Sequence, residues 1–150
     1  MAKSAAARVG MPGWLLLNVW ADLVQDAFGE TPYLVGSATR RKTWRDVDVR
    51  LILADDLYAA AFPLRRGHTH PHPTPVGTAW SAVAMAFSAL GRQLTGLPID
   101  FQVQSQAQAN REPGAAARIP LGMRFAPPSD DHKGADKGAS LDEQEESERE

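Results

Sequence analysis

Asp46 and Asp48 stand one residue apart at the head of an apolar run, Asp46-Val47-Asp48-Val49-Arg50-Leu51-Ile52-Leu53. If Val47 to Leu53 forms a strand, Val47, Val49, Leu51 and Leu53 point to one side, and Asp46, Asp48 and Arg50 to the other. The rise of a strand then puts the two aspartate Cα atoms roughly 6.6 Å apart, so both carboxylates can converge on one or two divalent ions. The same pattern recurs downstream in Pro98-Ile99-Asp100-Phe101-Gln102-Val103-Gln104. There Ile99, Phe101 and Val103 share one face, and Asp100, Gln102 and Gln104 the other. Surface charge on half-exposed strands would also give this pattern. Yet aspartate is depleted from strand interiors because it competes for backbone hydrogen bonds, so three on matching polar faces ask for a chemical reason.

The connection that leads to Asp46 carries its own signals. Pro32-Tyr33-Leu34-Val35 reads as a short buried strand feeding Gly36-Ser37. Glycine permits close backbone approach, and a serine hydroxyl with neighbouring amides can hold a phosphate. An ordinary tight turn uses the same dipeptide. Arg40, Arg41, Lys42 and Arg45 could neutralise phosphate charge or simply line a solvated loop. Trp44 offers either a stacking surface for a base or a core contact.

Together, the Gly36-Ser37 turn, Asp46-Val47-Asp48-Val49 and the later Asp100 strand resemble the signature of the nucleotidyltransferase superfamily that includes DNA polymerase beta. Ala38 stands where that family usually carries an arginine. The resemblance implies magnesium or manganese as cofactor and a nucleoside triphosphate as substrate. It gives Asp46 and Asp48 the role of holding metals that bridge the triphosphate, and Asp100 that of helping to hold the catalytic metal and activating an acceptor hydroxyl. Gly36 and Ser37 become the nucleotide-binding turn. RNA ends, proteins and small molecules are the acceptors that small proteins of this kind modify, some of them within toxin-antitoxin pairs.

The whole chain sets limits on these readings. Its 150 residues suit one domain with a real core. We expect a nucleotidyltransferase-like domain over residues 1–126 and an acidic disordered tail over 127–150. The tail carries nine acidic and three basic residues, a balance of −6, against thirteen basic and nine acidic elsewhere, a balance of +4. A mildly basic globule suits a phosphate-bearing substrate without by itself arguing for nucleic acid. The absence of cysteine excludes disulfides, thiolate nucleophiles and Cys-based zinc sites, and fits a reducing interior. The apolar stretch from Trp14 to Trp20 is too short and polar for a signal core or a membrane span, so a cytoplasmic protein without a membrane partner is expected.

The fold predicted is α+β: a small mixed sheet with helices packed on one face and substrate on the other. A helix is expected from Trp14 to about Phe28, with Leu16, Trp20, Leu23 and Ala27 as its apolar stripe and Gly29 as its stop. Residues 54–62 predict a short helix or an irregular crossover. Thr78 is placed to cap a long helix whose stripe is Trp80, Val83, Ala84, Phe87, Leu90 and Leu94. Residues 105–117 leave strand extension and loop open, and Ile119 to Phe125 predict an edge strand. Residues 63–76, with four prolines and three histidines, form a loop in which His68, His70 and His72 could hold a metal. A lid, or plain exposed loop, is the better expectation there.

Two classes of function follow. One is an enzyme that attaches a nucleoside monophosphate to a hydroxyl, with the acceptor gripped by the His-Pro loop, the basic connection or another subunit. The other is a non-catalytic nucleotide-binding or regulatory module of the same fold.

Overall fold

The computed structural model describes residues 7–63, 78–112 and 117–124. Helix α1 (Gly13–Phe28) is followed by strand β1 (Tyr33–Val35), a single 3-10 turn (Gly36–Thr39) and strand β2 (Val47–Leu53). Helices α2 (Asp55–Ala61) and α3 (Ala79–Thr95) lead to strand β3 (Ile99–Ser105), helix α4 (Gln106–Arg111) and the two-residue strand β4 (Ile119–Pro120). The strands form one mixed sheet in the order β3-β2-β1-β4. β1 runs antiparallel to both neighbours, and β2 and β3 are parallel. This is the expected small α+β architecture.

Strict alternation builds the sheet's two faces. Val47, Val49, Leu51, Ile99, Phe101 and Val103 are fully buried, with Leu34 beside them. They meet Leu17, Trp20, Ala21 and Val24 of α1, and Trp20 stands edge-on to Phe101 at 5.8 Å between ring centroids. Burial of this kind stabilises by roughly 1.5–3 kcal/mol for each large apolar side chain.

Both long helices keep part of the predicted stripe, with Trp20 and Ala84 buried and Trp80, Val83 and Phe87 packed against the core, but each is rotated from the rest of it. In α1, Leu16 and Leu23 are partly exposed, while Leu17, Asn18, Trp20, Ala21 and Val24 face inward. The segment is apolar on most sides, so spacing alone cannot fix its rotation. Asn18 tolerates burial because both ends of its amide are satisfied: Nδ2 donates to the Trp14 carbonyl at 2.8 Å, and Oδ1 accepts from the Gly122 amide at 2.9 Å. In α3 the buried ridge is Ser81, Ala84, Ser88, Gly91 and Thr95, whereas Leu90 and Leu94 lie outward. Small residues win here because the helix approaches the sheet closely. A Cβ on Gly91 would stand 3.0 Å from Trp20 and 3.1 Å from Ile99. Alanine there needs a shift of a few tenths of an ångström. We expect Gly91→Leu to destabilise the protein by about 1–3 kcal/mol through overpacking, read as a lowered urea midpoint.

Helix α3 also closes the open edge of β3. Arg92 Nε donates to the Ile99 carbonyl at 3.1 Å, Ser88 Oγ accepts from the Phe101 amide at 2.9 Å, and Trp80 Nε1 donates to the Val103 carbonyl at 2.8 Å. An edge that would otherwise offer free backbone groups is thereby covered. Thr78 caps the helix as predicted, in a capping box with Ser81, and Gly96 ends it in the left-handed conformation.

Of the range 105–117, Ser105 ends β3 and residues 106–111 are helical, where a strand extension or a loop was expected. Ser105 caps α4 by accepting from the Gln108 amide at 3.1 Å, and Asp55 Oδ1 accepts from the Ala107 amide at 2.9 Å. The predicted edge strand is shorter than expected: of 119–124, only Ile119 and Pro120 pair with β1. His68, His70, His72 and the 127–150 tail lie outside the described residues. Among the described residues no helix is long and apolar enough to cross a membrane.

Candidate functional site

The parallel register of β2 and β3 sets Val47 against Ile99, Asp48 against Asp100 and Val49 against Phe101. Because flanking residues of both strands are buried on the helix side, Asp48 and Asp100 emerge together on the opposite face. Two of the three predicted acids are therefore lateral neighbours on adjacent strands. Asp46 precedes the first residue of β2, and its side chain turns toward Arg45, with Oδ2 2.9 Å from Nε.

Gly36 closes the site from the β1 side. It adopts a positive φ of 73°, and Val35 just before it pairs with Asp48. A Cβ on Gly36 would collide with Asp48 Oδ2 and stand 3.2 Å from its Cγ. Glycine is thus required twice, for the turn and for the carboxylate packed on it. The turn is pinned by Thr39 Oγ1, which donates to the Gly36 carbonyl at 2.7 Å, and by the Arg41 amide, which donates to the Ser37 carbonyl at 2.8 Å. Ala38 is buried in the core, so no side chain from that position reaches the acids.

The residue that sequence reasoning left without a role is Arg50. It lies two residues beyond Asp48 on the same strand face, and its side chain is only 13% exposed. Nη1 donates to the Asp100 carbonyl at 3.1 Å and the Val49 carbonyl at 3.2 Å. Nη2 stands 3.7 Å from Asp48 Oδ1 and 3.6 Å from Asp100 Oδ2. The signal was present as Asp-x-Arg on one face of a strand, where the two side chains must be neighbours.

Burial pushes the Asp48 carboxyl above the usual range; Arg50 opposes the shift, and Asp100, by charge and hydrogen bonding, and then Asp46 add to it. A carboxyl raised in the folded state favours folding while protonated and opposes it once ionised. The penalty is absent below the ordinary carboxylate range, grows as pH rises through it, and is complete above the raised folded value. Asp48→Asn is therefore expected to raise the melting temperature by a few degrees at neutral pH. That advantage should vanish on acidification below the carboxylate range, which a series of thermal melts will show.

The donor chemistry suits a hard divalent ion. Paired carboxylates supply oxygen ligands only, and their mutual proximity leaves Asp48 short of positive charge. Asp48 and Asp100 are the residues that would hold magnesium or manganese, while Asp46 is paired with Arg45. Among the described residues no three potential ligands are already gathered about one point. Arg50 stands beside both strand carboxylates instead.

Around this centre the other candidates separate. Ser37 is half-buried in the turn. Arg40, Arg41, Lys42 and Arg45 are exposed, as a solvated connection would be. Trp44 serves structure: its Nε1 donates to the Arg8 carbonyl at 3.2 Å, and the Arg8 amide donates to the Ala38 carbonyl at 2.8 Å, which ties the 7–10 segment over the turn. Beyond Arg50 on the same face lie its β1 partner Tyr33 and a cavity of about 300 Å³ lined by Tyr33, Ile52, Gln106, Arg118, Glu30 and Thr31. No family model matches this chain, and neither do the curated proteins or solved structures compared with it.

Proposed function

We propose that this protein is a divalent-cation-dependent nucleotidyltransferase that moves a nucleoside monophosphate from a nucleoside triphosphate to a hydroxyl. One observation carries the reading: Asp48 and Asp100, from separate strands, are Cα partners in a parallel register and share the face left free by α1 and α3, with the Gly36 turn packed on Asp48.

The reaction this arrangement suits is an in-line displacement. The acceptor oxygen bonds to the α-phosphorus, the bond to the bridging oxygen breaks, and pyrophosphate leaves with the electron pair. A bound magnesium ion would supply positive charge to the attacking and leaving oxygens. On this reading Asp48 and Asp100 would orient that charge, and Asp100 would take the acceptor proton. The Gly36–Thr39 turn, whose glycine allows close backbone approach, is where this reading has phosphate oxygens meet the chain. The cavity beyond Tyr33 gives room for a group attached to either reactant.

The test is incubation with α-labelled nucleoside triphosphates, magnesium or manganese and a cell extract. Transfer of label that is lost in Asp46→Ala or Asp48→Ala supports the enzyme. A second reading draws on Arg50: a guanidinium beside both carboxylates would suit a non-catalytic module that binds nucleotide and is neutralised internally. Nucleotide binding with no transfer from any nucleotide favours that module.

A further inference from the structure

Arg50 is anchored at one end of its guanidinium and unsatisfied at the other. Nη1 spends its protons on two backbone carbonyls, at 3.1 and 3.2 Å. Nη2 faces Asp48 and Asp100 at 3.7 and 3.6 Å. Those are ion-pair separations, longer than a hydrogen bond of useful strength, and they are almost equal. One cationic nitrogen thus serves two carboxylates and is bonded tightly to neither. It does what a bridging divalent ion would do, with half the charge.

The geometry points to Arg50 as a resident counter-cation that competes with a divalent ion for the Asp48–Asp100 pair and gives way when metal and triphosphate arrive together. This rests on the nucleotidyltransferase reading and adds to it a rule for loading. Two positive charges a few ångströms apart repel strongly in a partly buried site, so free metal binds the carboxylates poorly while Arg50 stays in place. A triphosphate changes the balance, because a guanidinium displaced from carboxylates finds equivalent partners in phosphate oxygens. The direction for that movement is toward Tyr33, the β1 partner of Arg50, which also lines the neighbouring cavity. Metal and nucleotide then bind cooperatively, each raising the affinity for the other by the same factor.

The experiment is manganese binding, followed by electron paramagnetic resonance, to the full chain with and without a non-hydrolysable triphosphate. In the unaltered protein we expect weak binding of free manganese, strengthened about tenfold or more by the triphosphate. Arg50→Gln should bind free manganese about tenfold or more tighter and lose most of the coupling. Arg50→Lys, which keeps the charge, should stay near the unaltered protein. Equal manganese affinity in the unaltered protein and Arg50→Gln, with binding lost in Asp48→Asn, overturns the role of Arg50 and leaves the nucleotidyltransferase reading intact. No manganese binding in any of these proteins, with triphosphate or without, overturns both. Should Arg50→Gln fail to fold, the unaltered protein still decides the matter: the Arg50 Nε resonance must shift as magnesium and triphosphate are added, and a resonance that stays fixed while they bind refutes the displacement.

Discussion

Asp100→Asn is expected to reduce transfer of label from an α-labelled triphosphate by about a thousandfold or more, while the protein stays folded. Asparagine matches aspartate in shape but withdraws a negative charge from the site. A metal ion that depended on two adjacent carboxylates would lose half of that charge, and the acceptor hydroxyl would lose its proton acceptor. Asp100 lies on a half-exposed face, with the Gln102 side chain at 3.4 and 3.5 Å and Arg50 Nη2 at 3.6 Å from its carboxylate, so its amide can be accommodated without a core defect. Thermal melting beside the transfer assay separates chemistry from folding. Transfer within tenfold of the unaltered protein would remove Asp100 from the reaction.

The second large effect is expected at Gly36. A valine there must hold a φ of 73°, a region that β-branched residues avoid at about 1–3 kcal/mol. Its Cβ must also enter the space of the Asp48 carboxyl. Something has to move, and the carboxylate is the softer of the two. We therefore expect Gly36→Val to lose transfer as completely as Asp48→Ala does, through a residue that has no reactive group. The collision predicts its own non-additivity. In an Asp48→Ala background the carboxyl is gone and only the Cβ, 3.3 Å away, remains, so Gly36→Val should cost little beyond the backbone strain and lower the urea midpoint less than it does in the unaltered chain. Equal costs in the two backgrounds would show that Gly36 and Asp48 are not packed together.

Much of the sheet was legible in the residues because its signal is short and binary. Val47, Val49, Leu51 and Leu53 alternate with polar partners, as do Ile99, Phe101 and Val103, and both strands have the predicted faces. The side-by-side placement of Asp48 and Asp100 was readable as a shared face, whereas their exact register depends on how the α3 crossover docks. The helices were harder. Trp14 to Val24 offers apolar residues at nearly every angle, and the burial of Asn18 and Ser88 depends on hydrogen bonds that only tertiary contact supplies, from the Gly122 and Phe101 amides. Helix α4 was missed although Ser105-Gln106-Ala107-Gln108 has the spacing of a capping box. Alternation puts Arg50 on the face of Asp48, but a strand pattern does not say how deeply a side chain on that face is buried. Its burial against the two acids comes from the packing of the folded sheet.

The three hydrogen bonds that α3 makes along β3 do more than cover an edge. Ile99 and Phe101, held by Arg92 and Ser88, are the residues immediately before and after Asp100. The helix works as a splint laid behind the strand, setting how far Asp100 projects on the far side. A change at Ser88 or Arg92, on the helix rather than on the face that carries the acids, would loosen the aim of that carboxylate across the full thickness of the sheet.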